Sequence, residues 1–139
     1  MKKKRVLCEF LKISAISILL LTVYHSTEAQ SKQWIAPQTA LGVKNPLTND
    51  ATSINIGRTL YKTQCSPCHG DKGKGDGPAA AALTPKPADH TSAALQAESD
   101  GSLVYKISEG RKPMPAFKNT LKENQRWALI NYIRTLPKK

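Results

Sequence analysis

Near the middle of the chain stands Cys65-Ser66-Pro67-Cys68-His69, two cysteines three positions apart with a histidine directly after the second. Few chemistries use two thiols and an imidazole at this spacing. A redox dithiol calls for a thioredoxin-like βαβ pattern, and no window here alternates apolar and polar residues over a strand's length. A zinc site needs four ligands, and beyond the motif residues 30–139 offer only His90 and carboxylates. A disulfide between cysteines so close encloses a tiny loop and stabilises little. What remains is covalent attachment of haem c, for which C-x-x-C-H is the pattern. The two thiols reach the two vinyl groups on one side of a porphyrin, and the adjacent imidazole comes under the ring to bind iron. The thioethers also retain haem when the iron–ligand bonds loosen. One such motif implies one haem.

Size points the same way. The chain has 139 residues, 40% of them hydrophobic and 6% aromatic, which makes one domain with a small core. Such cores are often completed by a metal, a disulfide or a cofactor. The composition excludes a polytopic membrane protein, a repeat array and a collagen-like fibre.

The N-terminus reads as an address. Met1-Lys2-Lys3-Lys4-Arg5 is basic, and Ile13 to Val23 runs eleven residues without a charge. A basic start, a short apolar run and a small-residue cleavage site make a secretory signal over residues 1–29. Thr27-Glu28-Ala29 places the mature start at Gln30. The alternative is a retained anchor, but spanning takes about 20 apolar residues, and Glu9 and Lys12 interrupt such a run. Either way the C-terminal part is exported, because the basic cluster stays inside. Cys8 precedes the apolar run, the wrong place for a lipid-modified cysteine. Removing residues 1–29 leaves 16 basic against 8 acidic residues, a balance of +8. For an exported protein that charge points to an anionic membrane or an acidic protein partner rather than to nucleic acid.

Residues 30–52, with two prolines, a glycine and no steady period, read as a tether or surface arm. The domain proper is expected over 53–139. A first helix fits Ser53 to Gln64, with Ser53 as N-cap and Ile56, Leu60 and Tyr61 on one side. Residues 65–90 are loop-like, with a helical turn at Ala79–Leu83. Thr91–Ala97 is a short helix candidate. Asp100 caps a helix over 101–109 that carries Leu103, Val104 and Ile107 and stops at Gly110. Thr120 and Glu123 form a T-x-x-E capping box for a last helix bearing Trp127, Leu129, Ile130, Tyr132, Ile133 and Leu136, ended by Pro137. The expected fold class is all-α.

A sixth iron ligand follows from a census. The chain has two methionines; setting aside Met1 leaves Met114, 45 residues after His69 in the stiff Pro113-Met114-Pro115 loop. The prolines direct the loop's path and argue against a gap-filling core methionine. His90, in a proline-rich loop, is the rival ligand. A His/Met pair closes the iron and raises its potential, which suits electron transfer.

These residues together resemble the class I cytochrome c family, specifically its small single-haem bacterial members. The likeness covers residues 54–137 and rests on the order helix, C-S-P-C-H-G, Gly/Pro loop, helix, M-P-A-F and the helix W-A-L-I-N-Y-I-R-T-L. It implies three or four helices around one covalently bound haem, with the first and last helices crossing. Gly57 and Tyr61 match the family's glycine and aromatic at that crossing, facing Leu129 and Tyr132. The family also uses a proline carbonyl to accept the Nδ1–H of the proximal histidine. Pro78 is the candidate here, with Pro85 and Pro87 as alternatives. The segment from Gly75 to His90 looks like cytochromes associated with respiratory complexes.

The leading functional expectation is a periplasmic electron carrier between respiratory redox partners, cofactor-bound through Cys65, Cys68, His69 and Met114, with His69 and Met114 on the metal. Leu60, Leu83, Leu103, Ile107 and Phe117 are expected as pocket wall. Lys62, Lys72, Lys74, Arg111, Lys112 and Lys118 flank the ligand segments and could steer the protein to partners with acidic docking surfaces. A second class is a membrane-tethered subunit of a larger oxidoreductase. A third is a haem-based gas or redox sensor, which needs an open sixth position. No other catalytic constellation stands out; Asp71 and Asp76 read as turn residues.

Overall fold

The computed structural model describes residues 33–48 and 50–137. The expected signal at 1–29, Cys8, and residues 30–32 of the arm lie outside the described residues. The chain divides into two units, 1–34 and 35–139, and the second carries the fold. Its helices are α1 (Gln38–Leu41), α2 (Ala51–Gln64), α3 (Ser66–His69), α4 (Ala93–Ala97), α5 (Asp100–Glu109) and α6 (Glu123–Arg134), with a 3₁₀ turn at Ala80–Ala82. Among the described residues there is no strand; an isolated bridge pairs Arg111 with Met114. The domain is all-α. No helix of the described residues is long and apolar enough to cross a membrane.

α1 and α3 lie in stretches expected as an arm and a loop, α4 starts at Ala93 rather than Thr91, and three helix caps differ from the sequence expectation. α2 begins two residues before Ser53, because the Asp50 carboxylate accepts from the N–H groups of Thr52 and Ser53. One carboxylate thus satisfies two orphan donors of the first turn. Ser53 is instead buried inside that turn. α5 is capped by Ser99, whose hydroxyl accepts from the Ser102 N–H at 3.1 Å. Asp100 becomes its first residue, and its carboxylate serves other partners. α6 starts at Glu123 after Lys122, whose N–H donates to the Gln125 side chain at 2.9 Å. The Thr120 box does not form; the Thr120 hydroxyl turns back to the Phe117 carbonyl at 3.4 Å. Gly110 stops α5 with φ +62°, as expected.

The crossing of α2 over α6 is the most extensive helix contact. The buried face of α2 runs through Ser53, Gly57 and Tyr61, one turn apart. Ile56 is 46% exposed, so the face is rotated away from the one its apolar residues suggest. Small residues win this face because the backbones nearly touch: a Cβ on Gly57 would lie 1.9 Å from the Ala128 carbonyl oxygen. Around the crossing, Tyr61, Leu129 and Ile130 are fully buried, and Leu103, Ile107, Phe117 and Trp127 complete the core with them.

The arm before α2 is tied down by polar contacts. The Asn131 amide donates to the Leu47 carbonyl at 2.5 Å and to the Ser53 hydroxyl at 2.8 Å. Its carbonyl accepts from Asn45, which also donates to Asp100. Arg134 brings its guanidinium to Asp100 at 2.8 and 2.9 Å and to the carbonyls of Gln96 and Glu98. Buried polar groups paired this way fix register at little net cost, whereas an orphaned partner costs about 1–3 kcal/mol.

Two outcomes are expected. Gly57→Ala should force α2 and α6 apart at a cost of about 1–3 kcal/mol. The thermal midpoint should fall roughly 4–8 °C for each kcal/mol, read by circular dichroism. Asn131→Ala should loosen the arm and speed limited proteolysis between residues 42 and 50 while α5 stays resistant.

Candidate functional site

The motif sits on a single turn built onto the end of α2. The Cys65 N–H donates to the Tyr61 carbonyl at 2.9 Å, closing α2. The Cys65 carbonyl then accepts from Cys68 at 3.1 Å and His69 at 2.8 Å, opening α3. Pro67 falls in the first turn of α3, where a missing N–H is no loss. Cys65, Cys68 and His69 therefore share one turn.

The Gly/Pro-rich loop that follows serves as this short turn's C-terminal cap. The N–H groups of Gly75, Gly77 and Ala79 donate to the carbonyls of His69, Cys68 and Pro67 at 2.8, 3.1 and 2.9 Å. Carbonyls at a helix end need such partners. The loop approaches so closely that a Cβ on Gly77 would lie 2.5 Å from the carbonyl oxygens of both Ser66 and Pro67.

The loop then returns under His69. Its Nδ1 lies 2.9 Å from the Ala88 carbonyl oxygen. A carbonyl can only accept, so Nδ1 carries the proton and Nε2 presents its lone pair. Burial lowers the His69 pKa, partly offset by this hydrogen bond, which favours the neutral ring. The acceptor expected from Pro78 is thus corrected to Ala88. Pro78 is exposed; its neighbours Gly77 and Ala79 are spent on capping α3, and the chain reaches Nδ1 only ten residues later. A main-chain oxygen has no residue-type signature, so no side-chain pattern could have singled out Ala88.

Cys65 and Cys68 are free thiols, both half-buried. Burial, then the neighbouring Cys68, pushes the Cys65 thiol up to about 12. Redox dithiols work through a depressed thiol pKa, so this environment is the opposite of theirs. Among the described residues no group of three or more His, Cys, Asp or Glu could hold a metal ion. The donor set is two thiols and one neutral imidazole on a turn, bordered by an apolar cluster. It fits haem c, with Cys65 and Cys68 as the attachment points and His69 Nε2 as an iron ligand.

Met114 lies in a tight turn in which Arg111 and Met114 exchange backbone hydrogen bonds of 2.9 and 3.1 Å. The chain beyond it is bonded back onto α5, Phe117 to Ile107 and Lys118 to Ser108. Met114 and Cys65 are half-buried and both pack against the one core cluster. Of the expected pocket wall, Leu103, Ile107 and Phe117 are in that cluster and Leu60 packs against it. Leu83 is half-exposed.

His90 is buried at 8% exposure. Its ring stacks on that of His69, centroids 4.1 Å apart and planes 19° apart, and its Nδ1 lies 3.0 Å from the Tyr61 hydroxyl. Two imidazoles on opposite faces of one haem must have the porphyrin between them, and rings stacked face to face leave no room for it. The rival sixth-ligand reading of His90 is therefore set aside. Burial, and then the nearby His69, lowers its pKa to about 3, with Asp89 opposing. Burial also raises that of Tyr61, so both partners stay neutral at pH 7.

Residues 54–137 match the sequence pattern of the family described as cytochrome c. No curated protein matches the chain. Among solved structures, one similar chain belongs to the reducing HAO-like protein complex of Kuenenia stuttgartiensis. It is 29% identical with a TM-score of 0.62, over 77% of this chain and 53% of that one. This chain thus spans about half the length of that relative. The KustC0563 c-type cytochrome is 30% identical with a TM-score of 0.52, over 59% of this chain and 98% of that one. Cytochrome cL of Methylophaga aminisulfidivorans is 21% identical with a TM-score of 0.55, over 81% and 72%, a likeness of fold.

Gly77→Ala should open the Cys65–His69 turn by crowding two of its carbonyls. The expected result is a several-fold lower yield of chain that keeps haem after denaturation, read by haem absorbance in a denaturing gel.

Proposed function

Because this chain belongs to the cytochrome c family, whose members carry covalently bound haem c as electron carriers, we propose that it passes single electrons between respiratory redox partners outside the cytoplasm, with His69 and Met114 as the iron ligands. The observation that carries this reading is the α3 turn. It presents two free thiols and an imidazole whose Nε2 is kept available by the Nδ1–H bond to Ala88.

Bound haem supplies a one-electron iron couple. Cys65 and Cys68 would hold it covalently, through bonds that do not depend on the oxidation state of the iron. His69 is oriented through Nδ1, which fixes the ring and raises its basicity as a ligand. Met114 would supply a soft thioether, a ligand type that raises the potential and suits electron transfer. Leu103, Ile107 and Phe117 keep water from the site.

Lys62, Lys72, Lys74, Arg111 and Lys112 are exposed, and Lys118 pairs with Glu109 at 3.1 Å. They support docking to acidic partners, because exposed charge of one sign raises association rates at low salt. The basic N-terminus and apolar run support export to the periplasm. A second reading, a haem subunit of a larger oxidoreductase, is favoured by the likeness to a chain of an HAO-like complex. Fractionation separates the two: a free carrier appears in the soluble periplasm, a subunit with the membrane or a large complex.

Optical spectra of the oxidised and reduced protein, with and without carbon monoxide, test the ligand set. The wild type should show low-spin haem c, a thioether-to-iron band and no response to carbon monoxide. Met114→Ala should lose the band, bind carbon monoxide and have a lower potential. Carbon monoxide binding to the wild type would remove Met114 as a firm ligand and point to a sensor or enzyme. The bimolecular electron-transfer rate with an acidic redox protein should fall as ionic strength rises; a flat rate would remove the basic docking surface.

A further inference from the structure

We propose that His90 is a positioning residue for His69: held by the Tyr61 hydroxyl, its ring lies flat against the His69 imidazole and sets the plane in which that imidazole meets iron. The inference rests on the reading of His69 as an iron ligand.

An imidazole bound through Nε2 can still rotate about its bond to the metal. The Nδ1–H bond to Ala88 restrains one edge of the ring. A carbonyl oxygen, however, accepts over a broad arc, so that bond alone leaves the plane some latitude. A second flat ring at 4.1 Å and 19° removes it, because tilting His69 would drive it into the face of His90.

His90 can act as a plate only if it is itself fixed, and it is held at three points. Its N–H donates to the Gly73 carbonyl at 2.6 Å. Its carbonyl accepts from the Gln96 amide at 2.7 Å, and that amide also donates to the Ile133 carbonyl of α6 at 3.1 Å. Its Nδ1 shares the 3.0 Å hydrogen bond with Tyr61. Tyr61 in turn has no exposed surface and lies against Tyr132 with ring centroids 5.1 Å apart. The restraint therefore runs from the α2–α6 crossing through Tyr61 and His90 to the His69 ring.

The choice of residues supports a role beyond filling space. Two apolar side chains would fill these positions without any desolvation cost, whereas a buried hydroxyl and a buried imidazole are tolerated only as a bonded pair. What the pair adds over an apolar filling is a flat ring in a defined orientation. Groups behind a metal ligand act on the metal by orienting that ligand.

The test uses the full haem-loaded chain in its oxidised form. Low-temperature electron paramagnetic resonance and the proton shifts of the haem methyl groups report the orientation of the axial ligand plane. A potentiometric titration reports its effect on the iron. His90→Leu should keep haem attached and low-spin, yet move the g values, reorder the methyl shifts and shift the potential. His90→Phe, which restores a flat ring, should return the g values toward wild type. Tyr61→Phe should move them as His90→Leu does, by less. A purely structural role would lower the melting temperature of these variants and leave the spectra unchanged. His90→Leu with wild-type g values and potential, or no recovery in His90→Phe, overturns the proposal. Should His90→Leu fail to accumulate with haem, Tyr61→Phe decides: altered g values support the proposal and unaltered ones overturn it. A wild type lacking the low-spin histidine signature would remove the ligand reading itself and this inference with it, whereas unchanged variants of a normal wild type remove this inference alone.

Discussion

Where α2 crosses α6, the Gly57 backbone meets the Ala128 carbonyl with no side chain between them. That approach decides how far α2 sinks into the domain. It brings Tyr61, one turn further on, to complete burial, and it sets where α2 ends. Since α3 is built directly onto that end through the Cys65 N–H and carbonyl, the position of both thiols and of His69 is inherited from the crossing. A wider crossing would displace the whole site at once. Close packing makes this stiff, because interiors at crystal-like density have few ways to absorb a shift of an ångström.

The site's second dependence is on a loop whose only regular piece is the 3₁₀ turn at Ala80–Ala82. The stretch from Gly70 to Thr91 has too many glycines and prolines for a long helix or strand, yet specific hydrogen bonds hold its path. Four of its N–H groups, those of Gly70, Gly75, Gly77 and Ala79, cap α3, one carbonyl holds His69, and His90 is wedged beneath. Glycine at 77 is what lets the backbone come near enough to do this. Main-chain groups do the work that charged side chains do in many metal sites. His69 and His90 are both favoured in the uncharged form by burial.

Much of this was legible from residue order. The C-x-x-C-H motif announced a haem c site, and the family match and related structures bear out both the family and the all-α fold. Helices α2, α4, α5 and α6 were found within a few residues, since their apolar spacing and the Gly110 stop are local signals, whereas α1 and α3, single turns too short for a periodic pattern, fall in stretches read as an arm and a loop. The helix starts were less legible. Ser53, Asp100 and Thr120 are each good caps by type, but Asp50, Ser99 and Lys122 hold those places. The three displaced side chains bond instead to Asn131, Arg134 and the Phe117 carbonyl, two of them over more than thirty residues. The arm's attachment through Asn45 and Asn131 was hidden for the same reason: amide pairs 86 residues apart leave no periodic trace.

The sequence alone determined what chemistry the chain can carry. Thiol, imidazole and thioether are properties of residue type, and the spacing of Cys65, Cys68 and His69 puts those three within one helical turn of one another. Tertiary structure decided how that chemistry is oriented. The acceptor for His69 is a carbonyl, present at every position and therefore unmarked, and only the path of the loop selects Ala88 over Pro78. The histidine that looked like a rival ligand lies face to face with His69 because folding brings residues 61, 69 and 90 to one place. Donor identity is written residue by residue, whereas orientation arises from contacts between segments far apart in the chain.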